Sequence, residues 1–207
     1  MRIVVITGLG AVSAIGCGKE DYWNALAAGK NGAGKITLFN TEGHRVDIAA
    51  EVKDFDPEKW FDKKDARRAD RFIHFAVAAA SLAVEDAKLD VKAIDGNMFG
   101  VYLGSGEGGS NTTHENYGIR MEKGPSRVSP FFVPMMLSNM AAGYVAIQFG
   151  AKGPNMAVVT ACASATHSMG EAMHAIVRGD ADLVLTGGSV AAITPVALVG
   201  FANMKAL

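Results

Sequence analysis

Apolar positions in this chain fall into two patterns. Short unbroken runs closed by glycine predict buried strands at 2–7, 99–103 and 183–186, and further strands are expected at 157–160 and 46–52. Apolar residues recurring at the helical period predict helices at 19–28, 65–86, 111–122, 134–149 and 164–178. In the 65–86 segment, Phe72, Phe75, Ala76, Ala79, Ala83 and Ala87 keep that period. The 134–149 segment is apolar nearly all round, begins near Pro134 and ends at Gly150, which predicts a helix buried on several sides. Strands alternating with helices predict an α/β layered fold around a largely parallel sheet. No linker and no internal repeat divides residues 1–207.

Composition narrows the function classes. The chain is 49% hydrophobic with a net charge of −1, which does not suggest a general nucleic-acid or membrane-surface binder. No run approaches the ~20 apolar residues of a membrane helix. The opening MRIVVITGLG reads as a first strand rather than a signal peptide, so the expected location is cytoplasmic. The two cysteines, Cys17 and Cys162, lie far apart and share no ligand spacing with the five histidines. Neither a disulfide nor a metal site is expected.

Cys162 carries the sharpest local signal. It stands in Thr160-Ala161-Cys162-Ala163-Ser164, between a predicted strand and a predicted helix. The positive end of a helix dipole favours negative charge on sulfur, and small neighbours allow a sharp turn and close substrate approach. The alternative is a buried structural cysteine. Cys17 lies in a glycine-flanked loop with no such helix evident, and is expected to be the less reactive thiol. His167 and His174, five and twelve residues after Cys162, read as hydrogen-bonded packing residues rather than a catalytic base. Gly8-Leu9-Gly10 lacks the rest of a dinucleotide fingerprint, since Ser13 holds the third glycine position. Residues 29–35 match half of a phosphate loop, but Ile36 replaces the hydroxyl residue, so they read as a surface loop. Lys63, Lys64, Arg67, Arg68 and Arg71 form a basic cluster at the start of the 65–86 segment. It is either a solvated face offset by Asp62, Asp65 and Asp70 or a dock for an acidic partner.

The segment VVTACASATHSMGEAMHAIVRGDADLVLTGGS resembles the nucleophile region of the β-ketoacyl-acyl carrier protein synthases, closest to the type II elongating enzymes. The opening VVITGLGAVSAIG, the stretches RRADRFIHFA, GSGEGG and SPFFVPMMLSNMAAGYVAIQFGAKGPN, and the closing ITPVALVGFANMKAL extend the resemblance over the whole chain. It implies the amino-terminal half of a thiolase-like layered fold, in a family that usually forms homodimers. It implies that Cys162 accepts an acyl group and that its peptide N–H helps to form an oxyanion hole. Glu107, Phe132 and Phe201 fall at acyl-pocket positions. Lys63, Lys64, Arg67, Arg68 and Lys205 fall on the surface that docks acidic acyl carrier protein. No cofactor of its own is implied, because acyl groups arrive on the carrier's phosphopantetheine arm. The family's two catalytic histidines, its lysine and its phenylalanine gate belong to the second half, past Leu207. Glu107 replaces a usually apolar residue, and Val190 stands where the family usually has Glu. A non-catalytic scaffold that binds acyl carrier protein or a complementary half is the alternative function.

Overall fold

A computed structural model of the chain describes residues 2–207. It opens with a small antiparallel hairpin, β1 (Val12–Ser13) against β2 (Gly16–Cys17), followed by α1 (Lys19–Ala27). A second short antiparallel pair joins β3 (Gly34–Lys35) to β4 (Ile48–Ala49). The strand expected over 46–52 therefore forms only at its centre. The helices α2 (Lys63–Ala66) and α3 (Arg71–Asp86) precede β5 (Phe99–Gly104). Then follow α4 (Ser110–Lys123), α5 (Phe132–Met136), α6 (Met140–Phe149) and β6 (Asn155–Val158). The chain closes with α7 (Ser164–Arg178), β7 (Leu183–Gly188) and α8 (Pro195–Asn203).

The main sheet is parallel, in the order β6-β5-β7. Its central strand β5 is buried at every position. Alternation along β5 divides the core into two. Val101 and Leu103 join Phe72, Ile73, Val77, Ala142 and Val145 of α3 and α6, whereas Tyr102 faces Ala172 and Ala175 of α7. Helices on both faces of a parallel sheet are the α/β layering that the alternation predicts. No helix among the described residues is long and apolar enough to cross a membrane.

Three further expected elements differ. Residues 2–7 form no ladder, and Ile3, Val5 and Ile6 are exposed. A β-branched run favours extended backbone but does not name a pairing partner, and no strand among the described residues pairs with it. The segment is held near its ends instead, by an Arg2–Asp182 ion pair and by the Leu9 N–H donating to Asp86 at 2.9 Å. Gly8 and Gly10, the pair that invites a dinucleotide reading, pack on a helix. A Cβ on Gly8 would stand 2.2 Å from the Ala83 carbonyl, and one on Gly10 1.9 Å from that of Ala79.

The 65–86 helix is two helices. Asp70 adopts extended backbone, and its Oδ1 accepts from the Phe72 N–H at 3.2 Å as the N-cap of α3. Its Oδ2 accepts from the Thr112 N–H of α4 at 2.8 Å, so a buried carboxylate joins two helices. The 134–149 helix is also split, at Leu137, whose backbone is extended. Ala141, Ala142 and Val145 of α6 are buried, but Ile147 is 80% exposed, so α6 buries one face rather than several.

His74 spans the α2–α3 break. Its Nε2–H donates to the Ala66 carbonyl at 2.8 Å, and its ring meets Phe61 edge-on at 5.3 Å. Burial pushes its pKa below the ordinary 6.5, against the opposing pull of the Ala66 carbonyl and Asp70. The unfolded chain therefore takes up this proton at higher pH than the folded one. The stability tied to neutral His74 is complete above about pH 6.5 and is lost as pH falls toward the lower folded pKa. Wild-type protein should show a falling thermal midpoint as pH drops below about 6.5, and His74→Gln a shallower fall. Parallel curves for the two proteins would refute this.

Candidate active site

The turn that carries Cys162 begins two residues after β6 ends, because the strand stops at Val158 rather than at Thr160. A short 3-10 turn, Ala161–Ala163, then leads into α7. Ala161 has φ +50, left-handed backbone that a residue with a Cβ adopts at a cost of roughly 1–2 kcal/mol. Two hydrogen bonds of the Ser164 hydroxyl flank it. Ser164 Oγ accepts from the Thr160 N–H at 2.9 Å and donates to the Ala161 carbonyl at 2.7 Å. The Ala163 N–H closes the turn on the Thr160 carbonyl at 3.1 Å. Ser164 is buried while Cys162 is exposed, so the turn presents the thiol outward at the start of α7. Cys162 is thus not the buried cysteine of the alternative reading. Among the described residues, no group accepts from the Cys162 peptide N–H.

Contact without intervening side chains places this turn. A Cβ on Gly104, the last residue of β5, would stand 2.4 Å from the Ser164 carbonyl, and one on Gly188 of β7 2.6 Å from the Ala165 Cβ. Ser168, fully buried one turn along α7, places its hydroxyl 2.5 Å from the Gly187 carbonyl. The first turn of α7 therefore rests on the carboxyl ends of β5 and β7. His167 is exposed, and its Nδ1 lies 2.7 Å from Thr160 Oγ1, which ties it to the same turn. His174 is exposed and makes no side-chain hydrogen bond among the described residues, so the packing role expected for it is not seen.

The loop after β5 meets both the thiol turn and the α5–α6 connection. A Cβ on Gly106 would approach the Ala161 carbonyl at 3.3 Å, and one on Gly109 would meet the Met135 carbonyl at 2.2 Å. Glu107 between them is exposed. It lines an open groove of about 1340 Å3 between α4 and α8, with Tyr117, Val196, Phe201 and Met204. Partial desolvation at the groove mouth pushes its carboxyl pKa up. Glu107 and Phe201 are thus brought together. Phe132, half-buried in α5, does not line this groove. Helix α8 was not read as an element in the sequence. Its signals are Thr194, whose Oγ1 accepts from the Ala197 N–H at 3.3 Å, and Pro195 in the first turn. Val190 is exposed.

The basic cluster separates. Lys63, Lys64 and Arg67 are exposed on and just after α2. The Arg68 guanidinium lies 4.4 Å over the Phe131 ring, and its carbonyl accepts from the Tyr144 hydroxyl. Arg71 turns inward: it donates to the Val52 carbonyl at 2.6 Å and stacks on Phe75, so it leaves the exposed face. Lys205 is exposed beyond the end of α8. Of the surface loop expected over 29–35, residues 29–33 form a loop and Gly34–Lys35 pair as β3.

Residues 1–207 match the family described as "Beta-ketoacyl synthase, N-terminal domain". The chain belongs to the β-ketoacyl synthase family. Among β-ketoacyl synthases it is 50% identical over 204 residues to 3-oxoacyl-[acyl-carrier-protein] synthase 2 of Staphylococcus aureus (strain COL), an alignment covering 99% of this chain and 49% of that protein. It is 46% identical over 204 residues to the protein of the same name from Synechocystis sp., with the same coverage. The solved structure described as "The ishigamide ketosynthase/chain length factor" superposes with a TM-score of 0.92 at 31% identity, over 98% of this chain and 51% of that one. The chain thus spans about half the length of the curated β-ketoacyl synthases it matches.

Cys17 differs from Cys162 in its surroundings. It sits in β2 rather than in a loop, two residues before α1, the helix expected over 19–28. Burial and then Asp21 push its thiol pKa up, and Lys59 only partly opposes them. Limited alkylation of the folded protein should therefore label Cys162 before Cys17, as read by peptide mass spectrometry. Preferential labelling of Cys17 would contradict this.

Proposed function

We propose that this chain carries the acyl-accepting half of a 3-oxoacyl-[acyl-carrier-protein] synthase, a fatty-acid condensing enzyme, with Cys162 as its nucleophile. The observation that carries this reading is the exposed thiol on a strained turn at the start of α7, within a chain that belongs to the β-ketoacyl synthase family. The Cys162 sulfur, as thiolate, attacks the carbonyl of an acyl thioester, forming the acyl-enzyme and expelling the carrier's thiolate, which takes a proton from solvent. Its own peptide N–H is free of internal acceptors among the described residues and so is available to donate to the oxyanion that forms. Malonyl carrier then loses carbon dioxide. The resulting carbanion attacks the Cys162 thioester, expels the thiolate and leaves a 3-oxoacyl chain two carbons longer on the carrier. The groups that steer decarboxylation belong, by family resemblance, to the carboxy-terminal half.

The names of the curated relatives include the acyl carrier protein, which makes it the proposed partner. Lys63, Lys64 and Arg67 offer an exposed basic face for an acidic carrier, with Arg68 beside them. Rim charges of this kind act mainly on encounter and fade with salt. In the full-length protein, Cys162→Ala should abolish acylation from carrier protein. Replacing Arg67 and Arg68 by Glu should slow transfer from carrier by about tenfold at low salt, with less effect on a small acyl thioester. Undiminished acylation of Cys162→Ala would refute the enzyme reading. Equal losses with both donors would assign the arginines to packing.

Glu107 is the proposed limit on acyl length. Its exposed carboxylate at the mouth of a mainly apolar groove opposes burial beside an alkyl chain. Glu107→Ile in the full-length protein should raise the relative rate with long acyl donors by about tenfold. An unchanged chain-length profile would remove Glu107 from that role.

A further inference from the structure

We propose that Ser164 is a positioning residue for the Cys162 thiol, acting through the left-handed backbone of Ala161. The inference rests on the reading of Cys162 as the acyl acceptor. Four described residues other than glycine have positive φ: Asp54, Lys88, Ala161 and Lys205. Lys88 and Lys205 lie just past helix ends, and an aspartate tolerates this backbone through its short polar side chain. Ala161 has neither explanation and adjoins the nucleophile.

The Ser164 hydroxyl is placed to enforce this conformation. It bonds to the N–H of Thr160 and to the carbonyl of Ala161, and so clamps the peptide units on either side of the two residues that make the bend. The Thr160 N–H has no other acceptor among the described residues. Ser164 is itself buried against Gly104, where added bulk would strike its backbone, so water has little access to replace the hydroxyl. Removing it frees Ala161 to relax toward ordinary φ, which would rotate the following residue, Cys162, away from its outward position.

The test is made in the full-length protein. Rates of alkylation by iodoacetamide are followed at Cys162, with Cys17 as the internal reference, alongside acyl transfer from carrier protein. Cys17 sits in β2 and shares no bond with this turn. Ser164→Ala should lower the Cys162-to-Cys17 rate ratio by about tenfold and lower kcat for acylation with little change in KM. Adding Ala161→Gly to Ser164→Ala should restore most of the ratio, because glycine takes positive φ without the Cβ penalty. An unchanged ratio in Ser164→Ala, or no recovery in the double variant, would overturn the proposal. Should Ser164→Ala not fold, Ala161→Val and Ala161→Gly decide it with Ser164 intact. The valine variant should react about tenfold more slowly than the glycine one at Cys162, and equal rates would overturn the proposal. A wild-type protein that takes no acyl group at Cys162 would refute the functional reading, while the alkylation ratios still decide the role of Ser164.

Discussion

The site depends on backbone meeting backbone where α7 leaves the sheet. Gly104 and Gly188 end two neighbouring parallel strands, and the first residues of α7 sit where their Cβ atoms would be. Interiors are close-packed, so a contact this short fixes the height and direction of the helix more tightly than side chains do. Ser168 adds a buried bond to the same strand end. The thiol turn then has little freedom: it must leave β6, clear Gly106 and enter a helix whose first turn is already placed. Positive φ at Ala161 is the local cost of that route, and the Ser164 hydroxyl offsets part of it.

The same strand ends organise the rest of the site. The loop from Ser105 to Gly109 follows β5 directly, touches the thiol turn on one side and the α5–α6 connection on the other, and starts α4. Asp70 then ties α4 to α3 through a buried carboxylate. The α2–α3 break that Asp70 creates leaves Lys63, Lys64 and Arg67 exposed while Arg71 turns inward. The basic cluster is thus divided between surface and interior at the capping residue.

The sequence by itself determined much of this. The periodicity located β5, α7 and β7 to within two residues of their observed ends, because each is an apolar stretch bounded by a glycine or a small-residue turn. It pointed to Cys162 for a physical reason, a thiol between a strand and a helix, and the long resemblance pointed to the family. Only tertiary structure decided the rest. Whether 2–7 pairs depends on a neighbour that local pattern does not name. The 65–86 segment breaks at Asp70, which caps α3 and whose buried carboxylate also holds Thr112, 42 positions away, and the 134–149 segment breaks where Leu137 turns extended. The left-handed turn at Ala161 carries no sequence mark, since alanine is ordinarily helical. Its conformation follows from where β6 ends and where the strand-end glycines place α7, and that is a property of packing rather than of local propensity.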